Sequence, residues 1–85
     1  MKVAQVITKE LPWIATNTHG KTFHHVILFE TNAGFYQVME VLSQNNPMNE
    51  VQLLRAYEHG ARVTVKRAVE LFGSGISEKM DWSDE

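Results

Sequence analysis

EVQLLRAYEHGARVTVKRAVELF, residues 50–72, admits two readings, and the choice between them decides the fold. Read at helical period, Val51, Leu54 and Tyr57 form one apolar stripe, with Leu53 and Ala56 beside it and Gln52, Arg55 and Glu58 off it. Asn49 stands where a helix N-cap is needed, and Gly60 where a C-terminal residue with positive φ is favoured. Thr64 then caps a second helix whose Val65, Ala68, Val69 and Phe72 face inward, and Gly73 stops it. Read at period two, Val63 and Val65 alternate with Arg62, Thr64 and Lys66, and His59-Gly60 becomes the turn of a β-hairpin. The flanks LLRAYE and KRAVELF are rich in helix formers, which favours helices over 49–59 and 64–72. A mixed form, helix to His59 followed by a short strand at 61–65, stays open, so 61–66 is strand or helix.

Upstream, the chain reads as strands. KVAQVITK, residues 2–9, alternates Val3, Gln5 and Ile7 with Ala4, Val6 and Thr8. Pro12 ends it, and Trp13 to residue 17 is a candidate second strand before the turn-forming Asn17 to Lys21. TFHHVILFE, residues 22–30, is apolar on both sides of its alternation, and such a strand is buried from both faces. It belongs at the centre, beside 2–9 and 13–17. Helices supply cover for one face; in so small a chain a second copy is a candidate for the other, which makes a homodimer one expectation. Thr31-Asn32 offers a cap to a helix over 33–44, with Phe35, Val38, Met39 and Leu42 at i, i+3, i+4 and i+7.

The expected fold class is therefore α+β: a small antiparallel sheet of two to three strands packed with helices 33–44, 49–59 and 64–72. Eighty-five residues make one domain. It is drawn at 1–77, with 78–85 as an acidic, frayed tail holding Glu78, Asp81, Asp84 and Glu85 against Lys79. There is no cysteine, so neither a disulfide nor a thiolate enters the argument. No apolar run approaches membrane-spanning length and the N-terminus has no long apolar segment of the secretory kind, so the expectation is a cytoplasmic protein without membrane contact.

Chemistry-bearing constellations are sparse. Adjacent strand residues point to opposite faces, so His24 and His25 cannot share a metal ion, and His19 and His59 have no partner at ligand spacing. Ser74 lies in G-S-G without the G-x-S-x-G spacing of a nucleophile elbow. No glycine-rich phosphate loop occurs. The expectation is a protein that is no enzyme and takes no cofactor or metal. Trp13 and Trp82 are candidate interface anchors, because tryptophan offers much contact area at little entropic cost. With Asp81, Asp84 and Glu85 they form the expected protein-binding set.

Residues 58–80, EHGARVTVKRAVELFGSGISEKM, resemble the helix-turn-helix segment of some small DNA-binding proteins, including phage-type ones. Gly60, Thr64, Ala68 and the turn at Gly73 to Gly75 carry the likeness. The resemblance implies a third helix, Ile76 to Trp82, entering the major groove. That helix carries Glu78 and Asp81 against Lys79, and carboxylates repel phosphates. Nucleic acid would then be met by Arg55, Arg62, Lys66 and Arg67, although the formal net charge of −2 disfavours it. The leading expectation is a non-enzymatic interaction module that regulates or inhibits a protein partner; the alternative is a nucleic-acid-binding regulator using the basic residues of 55–67.

Overall fold

A strand apolar on both sides needs neighbours on both edges and cover on both faces. In the computed structural model, which describes residues 1–11 and 20–81, Thr22–Glu30 has all of these. It is the second strand, β2, between β1 (Lys2–Leu11) and β3 (Tyr36–Gln44). A two-residue β4 (Ala61–Arg62) completes an antiparallel sheet of order β1-β2-β3-β4. The expected α+β class holds, but the sheet has four strands rather than two or three. The central position of 22–30 is as expected, and candidate strand 13–17 falls outside the described residues.

The segment expected as helix 33–44 is instead β3. Val38 and Met39, side by side on one helical stripe in the sequence reading, point to opposite faces of the sheet, and both are buried. Phe35 and Leu42, the outer members of that stripe, are 50% and 52% exposed. Asn32-Ala33-Gly34 forms a hairpin loop rather than a helix start. The Gly34 N–H donates to the Thr31 carbonyl at 2.9 Å and the Thr31 N–H to the Phe35 carbonyl at 2.8 Å. Gly34 has φ +87°, which only glycine takes without cost. A second correction concerns β1: an irregularity between Val3 and Gln5 sets Val3 opposite Phe29 and Ile7 opposite Val26. Val3 and Ile7 therefore serve opposite faces, where plain alternation puts them on one.

The 50–72 stretch resolves into α1 (Glu50–His59), β4 and α2 (Val65–Phe72), so both helices form and a strand fragment lies between them. Asn49 caps α1 in a reciprocal box with Gln52: Asn49 Oδ1 accepts from the Gln52 N–H at 2.9 Å, and Gln52 Oε1 from the Asn49 N–H at 3.0 Å. The inward stripe of α1 is rotated from the expected one, with Leu53 and Ala56 buried and Val51 exposed. Thr64 Oγ1 caps α2 by accepting from the Arg67 N–H at 3.3 Å, and Gly73 ends it at φ +98°. Gly60 departs from expectation: its φ is −73°. It is needed for space, since a Cβ there would stand 2.9 Å from the Ala56 carbonyl oxygen and 3.0 Å from that of Glu40.

The two helices cover opposite faces of the sheet. On one, Leu53 and Ala56 of α1 pack with Ile27, Phe29 and Met39, and Val3, Val41, Met48, Leu54 and Tyr57 border them. On the other, Val65 and Ala68 of α2 pack with Val26, Leu28 and Val38, together with Ile76 and Met80 from the C-terminal side. The chain thus supplies cover to both faces of β2 by itself, which removes the ground for expecting a second copy there. A 3-10 helix (Ser74–Lys79) follows α2 in place of the expected third helix to Trp82. Met80 then bridges to Tyr36 on the outer edge of β3 and is 4% exposed, so residues 78–81 of the acidic segment belong to the packed structure. Among the described residues, no helix is long and apolar enough to cross a membrane.

Candidate functional site

The register of the meander gathers residues from distant parts of the sequence onto one open end of the sheet. On the α2 side, Lys9, His24 and Leu42 form one rung, and Ile7, Val26 and Glu40 the next. The hydrophobic cluster beneath α2 takes in Ile7, Val26 and Val38 but neither His24 nor Leu42. Beside the His24 rung, at the β3 end, Leu42 is 52% exposed, and a groove of about 630 Å³ runs there, lined by Leu11, His24, Glu40, Val41, Leu42, His59 and Ala61. A half-exposed leucine inside a groove is more informative than scattered apolar surface, which every protein has.

The adjoining edge of β3 is also open. β4 pairs only with Met39 and Glu40, and the Val63 N–H donates to the Val38 carbonyl at 2.9 Å. Among the described residues no strand pairs with Val41–Gln44 on that side. Unpaired backbone beside an apolar groove can accept an extended segment, main chain along the edge and side chains in the groove.

A polar cluster sits at the inner wall of the groove. Glu40 Oε1 lies 3.0 Å from His24 Nε2, and its Oε2 lies 2.6 Å from an Arg67 guanidinium nitrogen. Burial pushes the Glu40 carboxyl up, but the hydrogen bonds from His24 and Arg67 and their charges outweigh it and hold the group below its ordinary value. The carboxylate stays ionised and is paired with the Arg67 guanidinium, so its charge is balanced at the wall of the groove beside His24 and Leu42. Among the described residues no hydroxyl bonds to His24, and no three metal-ligating side chains gather.

The expected site residues do not converge in what the structure describes. Trp13, Trp82, Asp84 and Glu85 lie outside the described residues. Asp81 is described and is engaged within the chain: its Oδ2 accepts from Gln37 Nε2 at 3.1 Å, and its N–H donates to the Tyr36 carbonyl at 3.2 Å. Gln37 Oε1 in turn accepts from the Tyr57 hydroxyl, so Asp81 ends a chain that reaches α1. The four basic residues of the alternative are spread out. Arg55 is on α1, Arg62 on the edge strand, and Lys66 and Arg67 on α2 across the sheet, with Arg67 paired to Glu40. The helix that the resemblance sends into the major groove is the third, Ile76 to Trp82; the structure has a 3-10 helix over Ser74–Lys79 there, whose Ile76 packs with Val65 and Ala68 of α2.

In the sequence His25, like His24, reads as a polar strand residue and a candidate pH-sensitive contact, since imidazole titrates near neutrality. It is 1% exposed on the α1 side of the sheet, opposite to His24 as strand geometry requires. Its Nδ1 lies 2.9 Å from Thr8 Oγ1, its Nε2 3.1 Å from Ser43 Oγ, and the Met48 backbone N–H donates to Nε2 at 3.3 Å. Burial, and secondarily the charge of His24, holds its pKa below the ordinary value. No local signal marks these partners, because Thr8, Ser43 and Met48 are joined only by the strand register.

The architecture is an antiparallel sheet between two helical layers, with a groove at one end. None of three comparisons with known proteins returns a match: no protein family, no curated protein and no solved structure.

Proposed function

We propose that this chain is a non-enzymatic interaction module that regulates or inhibits a protein partner, and that it receives an extended segment of that partner at the open end of its sheet. The observation that carries the reading is Leu42, 52% exposed in a groove beside the unpaired edge Val41–Gln44. Groove and edge supply the two parts of strand addition, main-chain hydrogen bonds for affinity and a side-chain pocket for choice. A segment with an apolar anchor fits Leu11 and Leu42, and acceptor groups beside the anchor would meet His24 and His59. Trp13, Trp82 and the carboxylates Asp81, Asp84 and Glu85 stay in the proposal as outlying contacts. A second copy of the chain is one partner of this kind.

The test is capture from native lysate by tagged chain, with and without nuclease, using wild type, Leu42→Glu, and Trp13→Ala combined with deletion of 82–85. A stoichiometric protein that survives nuclease and is lost with Leu42→Glu supports the groove. Loss only in the second variant moves the site to the tryptophans and tail. Recovery of nucleic acid that weakens steeply with salt and fails when Arg55, Arg62, Lys66 and Arg67 become alanine would replace the proposal with the nucleic-acid reading.

A further inference from the structure

His25 joins four parts of the fold: β1 through Thr8, its own strand, β3 through Ser43, and the connector into α1 through Met48. The donors and acceptors around it do not all fit one protonation state. A backbone N–H only donates, so the bond from Met48 requires a lone pair on Nε2. The proton of the neutral ring then sits on Nδ1 and donates to Thr8 Oγ1. Ser43 has its own commitment, since its hydroxyl donates to the Asn46 carbonyl at 2.8 Å. It therefore meets Nε2, 3.1 Å away, with a lone pair. In the neutral state Met48 fills the bond to Nε2 and Ser43 stands by without one.

Protonation inverts this arrangement. A proton on Nε2 turns it into a donor, and Ser43 Oγ is already placed to accept while still donating to Asn46. Nδ1 keeps its bond to Thr8. The imidazolium is thus satisfied on both nitrogens, and the group left without a partner is the Met48 N–H. Met48 lies two residues before α1, and its side chain packs on the cluster that α1 shares with Ile27, Phe29 and Met39. We propose that His25 is an acid-operated latch: neutral, it ties the connector 45–49 to the sheet, and charged, it exchanges Met48 for Ser43 and releases the leading end of α1.

Among the described residues, few other titratable groups share the His25 face of the sheet. On β1 the charged residue of the same face is Glu10, whose carboxylate lies 3.7 Å from Lys21 Nζ, just before β2. On β3 the residues of that face are Gln37, Met39, Val41 and Ser43, none of them charged. The connector Asn45 to Asn49 carries no charge; α1 carries Glu50 in its exposed first turn, then Arg55, Tyr57, Glu58 and His59, of which Tyr57 packs on the cluster of that face. His24 is adjacent in sequence but held on the opposite face by Glu40.

The experiment is NMR on the full chain between pH 8 and pH 5, following the His25 ring and the Met48 and Ala56 amides, in wild type, Ser43→Ala and Ser43→Thr. The expected result is that Met48 loses hydrogen-exchange protection and shifts at the midpoint of His25, while Ala56 in the middle of α1 stays protected. Ser43→Ala, which removes the acceptor of the charged state alone, lowers that midpoint by about one pH unit. Ser43→Thr, which keeps the hydroxyl, leaves it near the wild-type position and serves where the alanine variant does not fold. A Met48 amide unmoved through the titration of His25, simultaneous loss of Met48 and Ala56, or a midpoint displaced equally by alanine and threonine would each overturn the latch.

Discussion

Replacing Gly60 by alanine puts a methyl group 2.9 Å from the Ala56 carbonyl oxygen, 3.0 Å from that of Glu40 and 3.1 Å from Met39 Cβ. The backbone at Gly60 has φ −73°, open to every L-residue, so crowding is the whole of the penalty. Two of the three obstructing atoms are main chain of α1 and β3, and the Ala56 carbonyl is held by the Gly60 N–H at 2.7 Å. Crowding of this kind costs about 1–3 kcal/mol. Alanine also restricts the unfolded chain, which offsets about 0.4–1 kcal/mol. A net loss of about 1–2 kcal/mol lowers Tm by roughly 4–16 °C in a domain of this length. Urea melts of four variants separate crowding from backbone conformation. Gly34 has φ +87°, and a Cβ there would meet nothing within 4 Å, so at that position asparagine, which tolerates the left-handed region, outperforms alanine. At Gly60 both carry the same obstructed Cβ, and Gly60→Asn is at least as damaging as Gly60→Ala. A Gly60→Asn protein as stable as wild type, beside a destabilised Gly60→Ala, would refute the crowding argument and restore a left-handed helix cap.

Acid titration of stability has a defined sign. His25 is buried with its pKa below 6.5, so between that lowered value and about 6.5 the unfolded chain binds more protons than the folded one. Stability is undiminished above about pH 6.5 and falls below it, by at most about 1.4 kcal/mol per pH unit from this group. Glu40 acts lower: its contribution is present above its ordinary value of 4.5 and is lost as pH falls through the depressed folded value. Urea midpoints that rise on acidification from pH 7 to pH 5 would contradict the His25 assignment, and midpoints that rise from pH 5 to pH 3 would contradict that of Glu40. Phe29, 0% exposed with its ring edge-on to Tyr57 at 5.3 Å and 80°, is the deepest aromatic of the α1 layer. Phe29→Ala is expected to cost about 3–5 kcal/mol, and a loss below about 1 kcal/mol in the same melts would mean that this core repacks around the gap.

How much of this is legible in the sequence depends on where each signal resides. Caps are local, so Asn49 and Thr64 can be read, and so can the central strand Thr22–Glu30, whose apolar run exceeds what one face can bury. β3 escapes because a strand buried on both sides has no alternation to show. Val38 and Met39, adjacent and both apolar, fit a helical stripe as well as a two-faced strand, and the Asn32-Ala33-Gly34 loop serves either as cap or hairpin. Gly60 is recognisable as structurally required but for the wrong reason, because the carbonyl of Glu40 that crowds it comes from twenty residues upstream. The groove leaves no trace in the sequence at all. Leu11, His24, Leu42 and His59 become neighbours only once the registers of β1 on β2 and β2 on β3 are fixed and α1 is in place, and each alone looks like ordinary surface.

The cover of the sheet has a consequence for synthesis. The three long strands are complete by residue 44, yet the described residues outside the sheet that pack on their two faces lie after it, in the connector to α1, α1, α2, the 3-10 helix and Met80. A ribosome adding about 5–20 residues per second needs roughly 2–7 s to deliver those remaining residues. Until they arrive, a β1–β3 meander carries Ile27 and Phe29 on one side and Val26 and Leu28 on the other without the helices that cover them in the full fold. Chains cleaved between residues 45 and 64 therefore lack α2 and leave Val26, Leu28 and Val38 without the cover that Val65, Ala68, Ile76 and Met80 give them.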